Sequence, residues 1–458
     1  MDSTRRPILF VSSPESGLLN PLLILAGELS GRGVEDLWFA TDEPRRSEVE
    51  EIAEKTPVEF ASLGEVVPEM SAVTWDDGTY RAVTQPSRFK AHRAVIQHTA
   101  DPKLRVEKYR ALETAVDKIE PALMIIESMS LFAVELAITK KIPFILSVPF
   151  MPSNVLTSHT PFSKSYTAPG FPVPHSGLPY RMNFAQRVTN RMFKLRTIGM
   201  FLNPKMSKIM AQDTPIRKEL GISDDARGQM ARIDAAEAIL SYSVTGLDYP
   251  FPVPEKMRLV GAMVPDLPQA PDDHDVSDWL DEQDSVVYMG FGTITRLTRE
   301  QVESFVEVAR RLDGRHQFLW KLPKDQQAFL PADLPGNLRV ETWVPSQLDV
   351  LAHPSVKVFF THAGGNGYHE GLYFGKPLVV RPLWVDCYDQ AVRGEDFGIS
   401  LTLDHPETVD PDDVVDKLTR VIEEDSFRER AEYFAVQQRE AGGRQAAADL
   451  VLASPSLN

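Results

Sequence analysis

The chain has almost no cysteine. Cys387 stands alone among 458 residues, so no intrachain disulfide can form. The fold must be held by its apolar core, and a reducing compartment suits it. Basic charge is also in short supply: 49 Lys and Arg against 65 Asp and Glu give a formal charge of −16. A general nucleic-acid binder needs a basic face, and this balance argues against that class. A nucleotide ligand stays open, because backbone amides and helix ends can hold phosphates. No stretch approaches the roughly 18–20 apolar residues of a membrane span. The opening R-R-P-I-L-F-V-S-S run is too short for a signal core and is broken at once by Ser, Pro and Glu. These absences lead us to expect a soluble, cytoplasmic protein. No Cys/His cluster with ligand spacing marks a metal site. His92, His98, His159 and His175 read as separate structural or exposed residues, and His362 with His369 lacks an obvious third ligand.

The length exceeds what one hydrophobic core serves and implies two domains. The 43% hydrophobic and 25% charged composition is that of a globular protein. Over the first 150 residues short apolar runs alternate with helical patterns. Strands are expected at 8–11, 37–40, 123–126 and 144–148, and helices at 17–29, 44–53 and 131–137. Such alternation implies a parallel, doubly wound sheet. Residues 151–180 are rich in Pro, Ser, Gly and Thr and read as a long irregular loop, a length that is usually functional or disordered. Residues 181–210 look helical and carry Arg181, Arg187, Arg191, Lys194, Arg196, Lys205 and Lys208 with no acid. This basic stripe is read as a solvated helix face, with weak contact to a membrane surface as the alternative.

The stretch P-D-L-P-Q-A-P-D-D at 265–273 is the best linker candidate. A second α/β pattern follows, with strands expected at 285–289, 318–321, 356–361 and 377–380 and helices at 299–311, 366–374 and 386–396. From about 409 the tail reads as two helical stretches. The expected division is 1–248 and 249–435, with a helix at about 436–458 packing back on the first part.

The chemistry concentrates in 343–386, W-V-P-S-Q-L-D-V-L-A-H-P-S-V-K-V-F-F-T-H-A-G-G-N-G-Y-H-E-G and onward. An apolar strand ends at Thr361–His362, a glycine pair follows, and a helix starts near Asn366 and Gly367. Open amides and the positive helix end suit an anion, and His362 adds a donor there. Glu370 lies on the same helix face at i+3 and i+4, where a carboxylate suits a sugar diol such as a ribose. Trp343, at the start of a loop, can stack on a planar base. Each piece alone has a plainer reading: tight packing for the Gly–Gly turn, a hydrogen-bonded core histidine for His362, core for Trp343.

As an ordered set, Trp-x-Pro, T-H-A-G-G-N-G-Y-H-E, G-K-P and a helix-opening Asp resemble the signature of the family 1 UDP-dependent glycosyltransferases. The likeness extends to V-V-Y-M-G-F-G-T at 286–293, to V-G-A-M at 260–263 and to the opening strand–turn–helix. The P-H-S-G-L-P segment and the W-V-D-x-Y-D run are most similar to fungal members. The resemblance implies a GT-B fold, two Rossmann-like doubly wound domains facing a central cleft. The first would bind the acceptor and the second the nucleotide sugar. It implies that Trp343 stacks on uracil, that His362, Thr293, Asn366 and Gly367 meet the diphosphate, that Glu370 holds the ribose and that Asp386 holds the sugar's hydroxyls. Gly17, Val344, Gln347 and Gly364 join the donor set on the same grounds. The reaction would be a single inverting displacement without metal or cofactor, the UDP-sugar being a co-substrate. Glucose is the expected sugar.

Two departures bear on the chemistry. The family's Asp-Gln sugar pair reads as Asp386–Cys387, with Asp389–Gln390 as a competing register, and a thiol cannot replace an amide's hydrogen bonds. In P-E-S-G-L-L-N-P (14–21) the family's catalytic histidine position holds Leu18, although the turn at Gly17 and the early Pro21 fit the scaffold. The histidine's aspartate partner reads as Glu127. General-base help is typically worth roughly 10²–10⁴-fold. Three readings follow. The acceptor supplies its own nucleophilicity as an amine, carboxylate or acidic phenol; or Glu127, desolvated beside Leu18, is the base, with Glu15 as a further carboxylate at the turn; or catalysis is lost and the chain is a sugar-nucleotide-binding helper. The plain reading of Glu127 is a buried, hydrogen-bonded carboxylate at a strand end, or a surface one. A GT-B isomerase or phosphorylase lacks the Trp-to-Asp signature. Trp75, Phe89, Phe150 and Met151, with Tyr80, Phe162 and Phe171, lie in the acceptor-side half and either line a site for a lipophilic or aromatic acceptor or, equally, pack the core.

Overall fold

The computed structural model describes residues 6–271 and 275–457. Asp272 and Asp273, the end of the expected linker, lie outside the described residues, as do residues 1–5. The chain divides into two units, Met1–Met263 with Ala441–Asn458, and Val264–Glu440.

In the first unit the apolar runs form seven parallel strands: β1 (Ile8–Val11), β2 (Leu37–Thr41), β3 (Val58–Ser62), β4 (Leu123–Glu127), β5 (Phe144–Val148), β6 (Ala238–Ser241) and β7 (Met257–Leu259). Their order is β3-β2-β1-β4-β5-β6-β7. Leu9, Val11, Met124 and Ile126 enter one core, while Ile8, Phe10, Leu123 and Ile125 enter another on the opposite face. A sheet covered on both faces needs apolar residues at every position, which is why these strands read as unbroken hydrophobic runs. The strand order reverses between β1 and β4, and ligands of open α/β sheets gather at the carboxyl ends of strands flanking such a reversal.

The second unit repeats the plan with β8 (Val286–Gly290), β9 (Gln317–Lys321), β10 (Leu338–Glu341), β11 (Val356–Thr361), β12 (Leu378–Val380) and β13 (Ser400–Thr402). The order is β10-β9-β8-β11-β12-β13, with the reversal between β8 and β11. The helix Arg299–Arg311 opens on a capping box in which Thr298 and Gln301 exchange side-chain and backbone bonds.

Several expectations are corrected. Residues 249–263 belong to the first unit, because β7 pairs with β6 and the Gly261 amide bonds to Ser243. Residues 44–53 form a 3₁₀ turn Glu43–Arg45 and a short helix Arg46–Glu51. The tail holds three helices, Pro411–Glu423, Asp425–Glu440 and Gly443–Leu452. The last of them belongs to the first unit, where Arg444 pairs with Glu28 of the helix Ser16–Gly31 at 2.7 Å. That helix begins at Ser16, so Pro21 sits in its second turn rather than its first, where it has no N–H to offer the Gly17 carbonyl. The basic segment breaks into Phe184–Leu202 and Pro204–Met210 at Asn203, whose side chain caps the second helix. Lys194 departs from the solvated stripe. It is buried, with Nζ donating to the Pro169 carbonyl at 3.3 Å.

Candidate active site

The reversal in the second unit is lined by glycine. Strand β11 delivers His362 between Gly292, which follows β8, and Gly364, which caps the helix Gly365–Tyr373. A Cβ on Gly292 would stand 2.6 Å from His362 Cε1, and one on Gly364 would stand 2.5 Å from its Nε2. Only hydrogen fits at either place, so the two glycines set the ring's position. The His362 Nδ1 is buried with no hydrogen-bond partner among the described residues. Burial, then the nearby Lys321 and Arg381 charges, push its pKa down to about 4. A neutral imidazole, two cations and a helix N-terminus therefore share one end of the sheet, a combination that favours an anion.

Beside it lies a polar chain. The Tyr288 hydroxyl donates to Gln347 Oε1 (3.2 Å), and Gln347 Nε2 donates to Glu370 Oε2 (2.7 Å). Burial raises the Glu370 carboxyl, opposed by Gln347 and by Lys321. Lys321 Nζ stands 4.5 Å from the centre of the Trp343 ring, a cation–π contact. Trp343 remains 61% exposed, so ring surface is left for a ligand. Thr293 is exposed on the loop after β8, and Asn366 and Gly367 are half-buried in the helix's first turn. Val344 is buried.

The helix Val385–Asp396 holds the other donor-side candidates. Asp386 is nearly buried, and burial with the neighbouring Asp389 charge pushes its carboxyl up to about 7. The hydrogen-bond network orients the Gln390 amide so that its nitrogen donates to the Ala363 carbonyl (2.6 Å) and to Asp386 Oδ2 (3.1 Å). Gln390 is thus a fully buried brace for Asp386, one turn on by i, i+4 spacing. Cys387 is buried too, and burial raises its thiol, which keeps it protonated.

The reversal in the first unit is lined by carboxylates and hydroxyls. Glu127 ends β4 and is 0% exposed. Its carboxylate accepts from the Met129 amide (2.6 Å) and from the Ser128 and Ser130 hydroxyls (3.2 Å each). Ser130 Oγ lies 3.1 Å from Ser13 Oγ, on the loop that leaves β1. Burial pushes the Glu127 carboxyl up to about 7 against the pull of these donors, and the Glu15 charge adds a smaller push. The buried Arg232 guanidinium donates to the Ser128 carbonyl and interacts with Glu127. Glu15 occupies the N-cap of the helix Ser16–Gly31, where its backbone carbonyl accepts from Leu18 (2.8 Å) and Leu19 (2.9 Å). Its own carboxyl is raised by burial. Gly17 is exposed and Leu18 half-buried.

Of the acceptor-side candidates, Trp75 is buried with its Nε1 donating to the Glu69 carbonyl (3.0 Å), and Met151 is 0% exposed against Ser243. Both are packing residues here, and so is Phe171, set edge-on to Tyr180, Tyr249 and Phe251. Phe89 and Phe150 keep half-exposed surface. Histidines 92, 159 and 175 converge rather than standing apart.

Residues 55–436 match the UDP-glucoronosyl and UDP-glucosyl transferase family. The chain belongs to that family. It is 25% identical over 272 residues to UDP-glucosyltransferase 2 of Dactylopius coccus, covering 57% of this chain and 48% of that one. It is 26% identical over 300 residues to human UDP-glucuronosyltransferase 2B7, covering 63% and 52%. The chain thus spans about half the length of these curated relatives. The solved structure of the glycotransferase of kitacinnamycin matches with a TM-score of 0.71 at 22% identity, covering 98% of both chains. The fold is GT-B, built from two Rossmann-like parallel-sheet units.

The structure brings in residues that sequence reasoning missed. Lys321, Arg381 and Gly292 lie near His362, and Ser128 and Ser130 contact Glu127, with Ser13 reaching it through Ser130. A faint signal existed for the serines, since S-S follows β1 and E-S-M-S closes β4.

Proposed function

We propose that this chain is an inverting glycosyltransferase. It moves a sugar from a UDP-sugar to a small acceptor, with Glu127 taking the acceptor's proton through Ser130 and Ser13. The observation that carries the reading is the run Ser13–Ser130–Glu127, three side chains in hydrogen-bond contact that end on a buried carboxyl titrating near neutrality. Direct contact between an acceptor and Glu127 is disfavoured by that carboxyl's complete burial. Ser13 is only half-buried and gives the run an accessible end.

In this account the acceptor's oxygen bonds to the sugar's anomeric carbon as the bond from that carbon to the diphosphate breaks. UDP leaves with the electron pair. The acceptor's proton passes to Ser13 Oγ, the Ser13 proton to Ser130, and the Ser130 proton to Glu127 Oε2. A base near pKa 7 is well matched to operation at neutral pH. On the donor side the exposed Trp343 face stacks on uracil and Glu370, braced by Gln347, takes the ribose hydroxyls. His362, Lys321, Arg381 and the helix end at Gly364–Gly367 meet the diphosphate, a preorganised electrostatic site that strengthens as charge develops on the leaving group. Asp386, braced by Gln390, takes the sugar's hydroxyls. Two carboxyls at that helix disfavour a uronic acid, so glucose is the proposed sugar. The half-exposed rings of Phe89 and Phe150 suit a lipophilic or aromatic acceptor.

Incubation with UDP-glucose, UDP-glucuronate and a panel of phenols, alcohols, amines and acids tests this, with products weighed by mass spectrometry. Glucosylation of a phenol or alcohol is expected. UDP-sugar binding without any transferred product would favour the helper reading instead.

A second, lesser proposal concerns the helix Phe184–Leu202. Among the described residues no helix is long and apolar enough to cross a membrane. This one exposes Phe184, Val188, Met192 and Leu195 beside the exposed Arg187, Arg191 and Arg196, which suits weak contact with an anionic lipid surface. Co-sedimentation with anionic vesicles, and none with neutral ones, is the expected outcome.

A further inference from the structure

Three histidines that are far apart in the chain meet in the first unit. His92 lies on the helix Arg88–Thr99, and His159 and His175 lie near the two ends of the irregular stretch that follows β5. One nitrogen from each can be chosen so that all three lie within 4.8 Å of one another. The His92 and His175 Nδ1 atoms are 3.0 Å apart, and the ring centroids of the three pairs are separated by 4.9, 5.2 and 5.3 Å.

The plain reading is that the rings fill space and share one N–H···N bond between His92 and His175. That reading leaves polar atoms unexplained. The Nε2 of His92 and the Nε2 of His159 are both buried with no hydrogen-bond partner among the described residues. A buried polar atom left unsatisfied carries its desolvation cost with nothing to offset it. His175 adds a second cost. Its φ of 69° lies in the left-handed region, which a residue with a Cβ adopts only when its surroundings hold it there. Burial keeps all three imidazoles neutral, with pKa values pushed down to about 3, so each retains a lone pair for a ligand.

We propose that His92, His159 and His175 form a three-nitrogen site for a divalent transition-metal ion of the zinc class. Three neutral imidazoles with one open position are a common donor set for such ions, with metal–nitrogen bonds of about 2.0–2.1 Å. Lys194 and Arg232 lie close enough to act on His159 electrostatically. They oppose a bare dication, so the fourth position falls to an anionic ligand such as hydroxide or a carboxylate. Gln229 Nε2 lies 3.4 Å from His159 Nδ1, which leaves the Nε2 of that ring for the ion. The ion ties both ends of a long loop to one helix. Binding a group that the unfolded chain cannot hold in this geometry is directly stabilising. The proposal does not depend on sugar transfer.

The test uses the full chain, stripped by chelator and titrated with Zn²⁺. About one ion per chain is expected, together with a rise in Tm. Co²⁺ in its place is expected to give the visible absorption of a four-coordinate nitrogen site. His159→Gln and His175→Asn are expected to lose the ion, the cobalt band and the Tm rise together while binding UDP as the parent does. Asparagine is chosen because it tolerates the left-handed backbone. Limited proteolysis of the unmutated chain gives a reading that needs no variant, with cleavage between 159 and 175 slowed by Zn²⁺. The proposal is overturned if the parent binds no zinc, if both variants keep the ion and the band, or if zinc leaves the cleavage rate unchanged.

Discussion

The two sheet reversals are built alike and furnished oppositely. In each unit a strand, a tight turn and a helix start bring side chains to the carboxyl ends of two adjacent parallel strands. In the second unit the turn is all but bare of side chains, so His362 lies against backbone between Gly292 and Gly364, and Lys321 and Arg381 supply charge. In the first unit the corresponding place holds Glu127 and Glu15 with three serine hydroxyls. The scaffold fixes where chemistry gathers. The residues on it set what each place presents: cations and bare backbone in the second unit, buried carboxyls and hydroxyls in the first.

The sharpest way to break this contrast is to neutralise the proton acceptor. Glu127→Gln keeps the shape of the strand end, and its amide oxygen can still accept from the Met129 amide and the Ser128 hydroxyl, but its amide nitrogen cannot accept from Ser130 and the group cannot take a proton. We expect kcat with an alcohol or phenol to fall by about 10²–10⁴-fold with UDP affinity unchanged. Steady-state kinetics and calorimetry check the two halves. Crowding the anion end comes next. Gly364→Ala places a methyl 2.5 Å from His362 Nε2 at an ordinary negative φ, so it acts by displacing the ring rather than by straining the backbone. A loss of about 10²-fold in kcat, the scale of one transition-state donor, is expected along with weaker UDP binding in calorimetry.

A smaller effect sharpens the account of the base. Trp343→Ala removes the exposed stacking face, and UDP affinity is expected to fall by about 1–3 kcal/mol, the worth of one base–aromatic stack. Ribose 5-phosphate, which has no base to stack, is expected to bind both proteins equally. Ser13→Ala should be smallest, a loss of about 5-fold in kcat, because one hydrogen bond of roughly 1 kcal/mol is removed and water can fill the gap. Removal of Ser13 with no change in rate at any pH would detach the relay from the reaction.

How far the sequence disclosed these two places follows from distance along the chain. Strands at 8–11, 144–148 and 356–361 and the helix at 299–311 could be read from composition because burial on both sheet faces demands unbroken apolar runs, and because Thr298 and Gln301 write their cap locally. The missed break in the tail was local too: A-G-G at 441–443 separates two helices, with Gly442 in a left-handed conformation. Most of the candidate donor set lies within one run of 44 residues, 343–386, so its order and spacing could be seen together. Ser13 and Ser130 are 117 positions apart, and His92 and His175 are 83 apart. Only the pairing of β1 with β4, and the folding of the long loop onto one helix, make them neighbours. Burial was equally invisible: nothing in W-V-D-C-Y-D-Q shows that Cys387 turns inward while Gln390 reaches back to Asp386.

We propose that the Glu127 carboxyl, raised by burial, is the proton acceptor in place of the histidine that the family resemblance leads one to expect at Leu18. A carboxyl with a raised pKa is mostly protonated, and so inactive as a base, below that pKa, and becomes competent as pH rises through it. The direct test is the pH dependence of kcat/KM with a phenol whose own ionisation lies well above the range scanned. The account expects the rate to climb through about pH 7 and then level off, as set by Glu127, and expects that limb to vanish in Glu127→Gln. A Glu127→Gln profile that keeps the same limb at the same pH would contradict it.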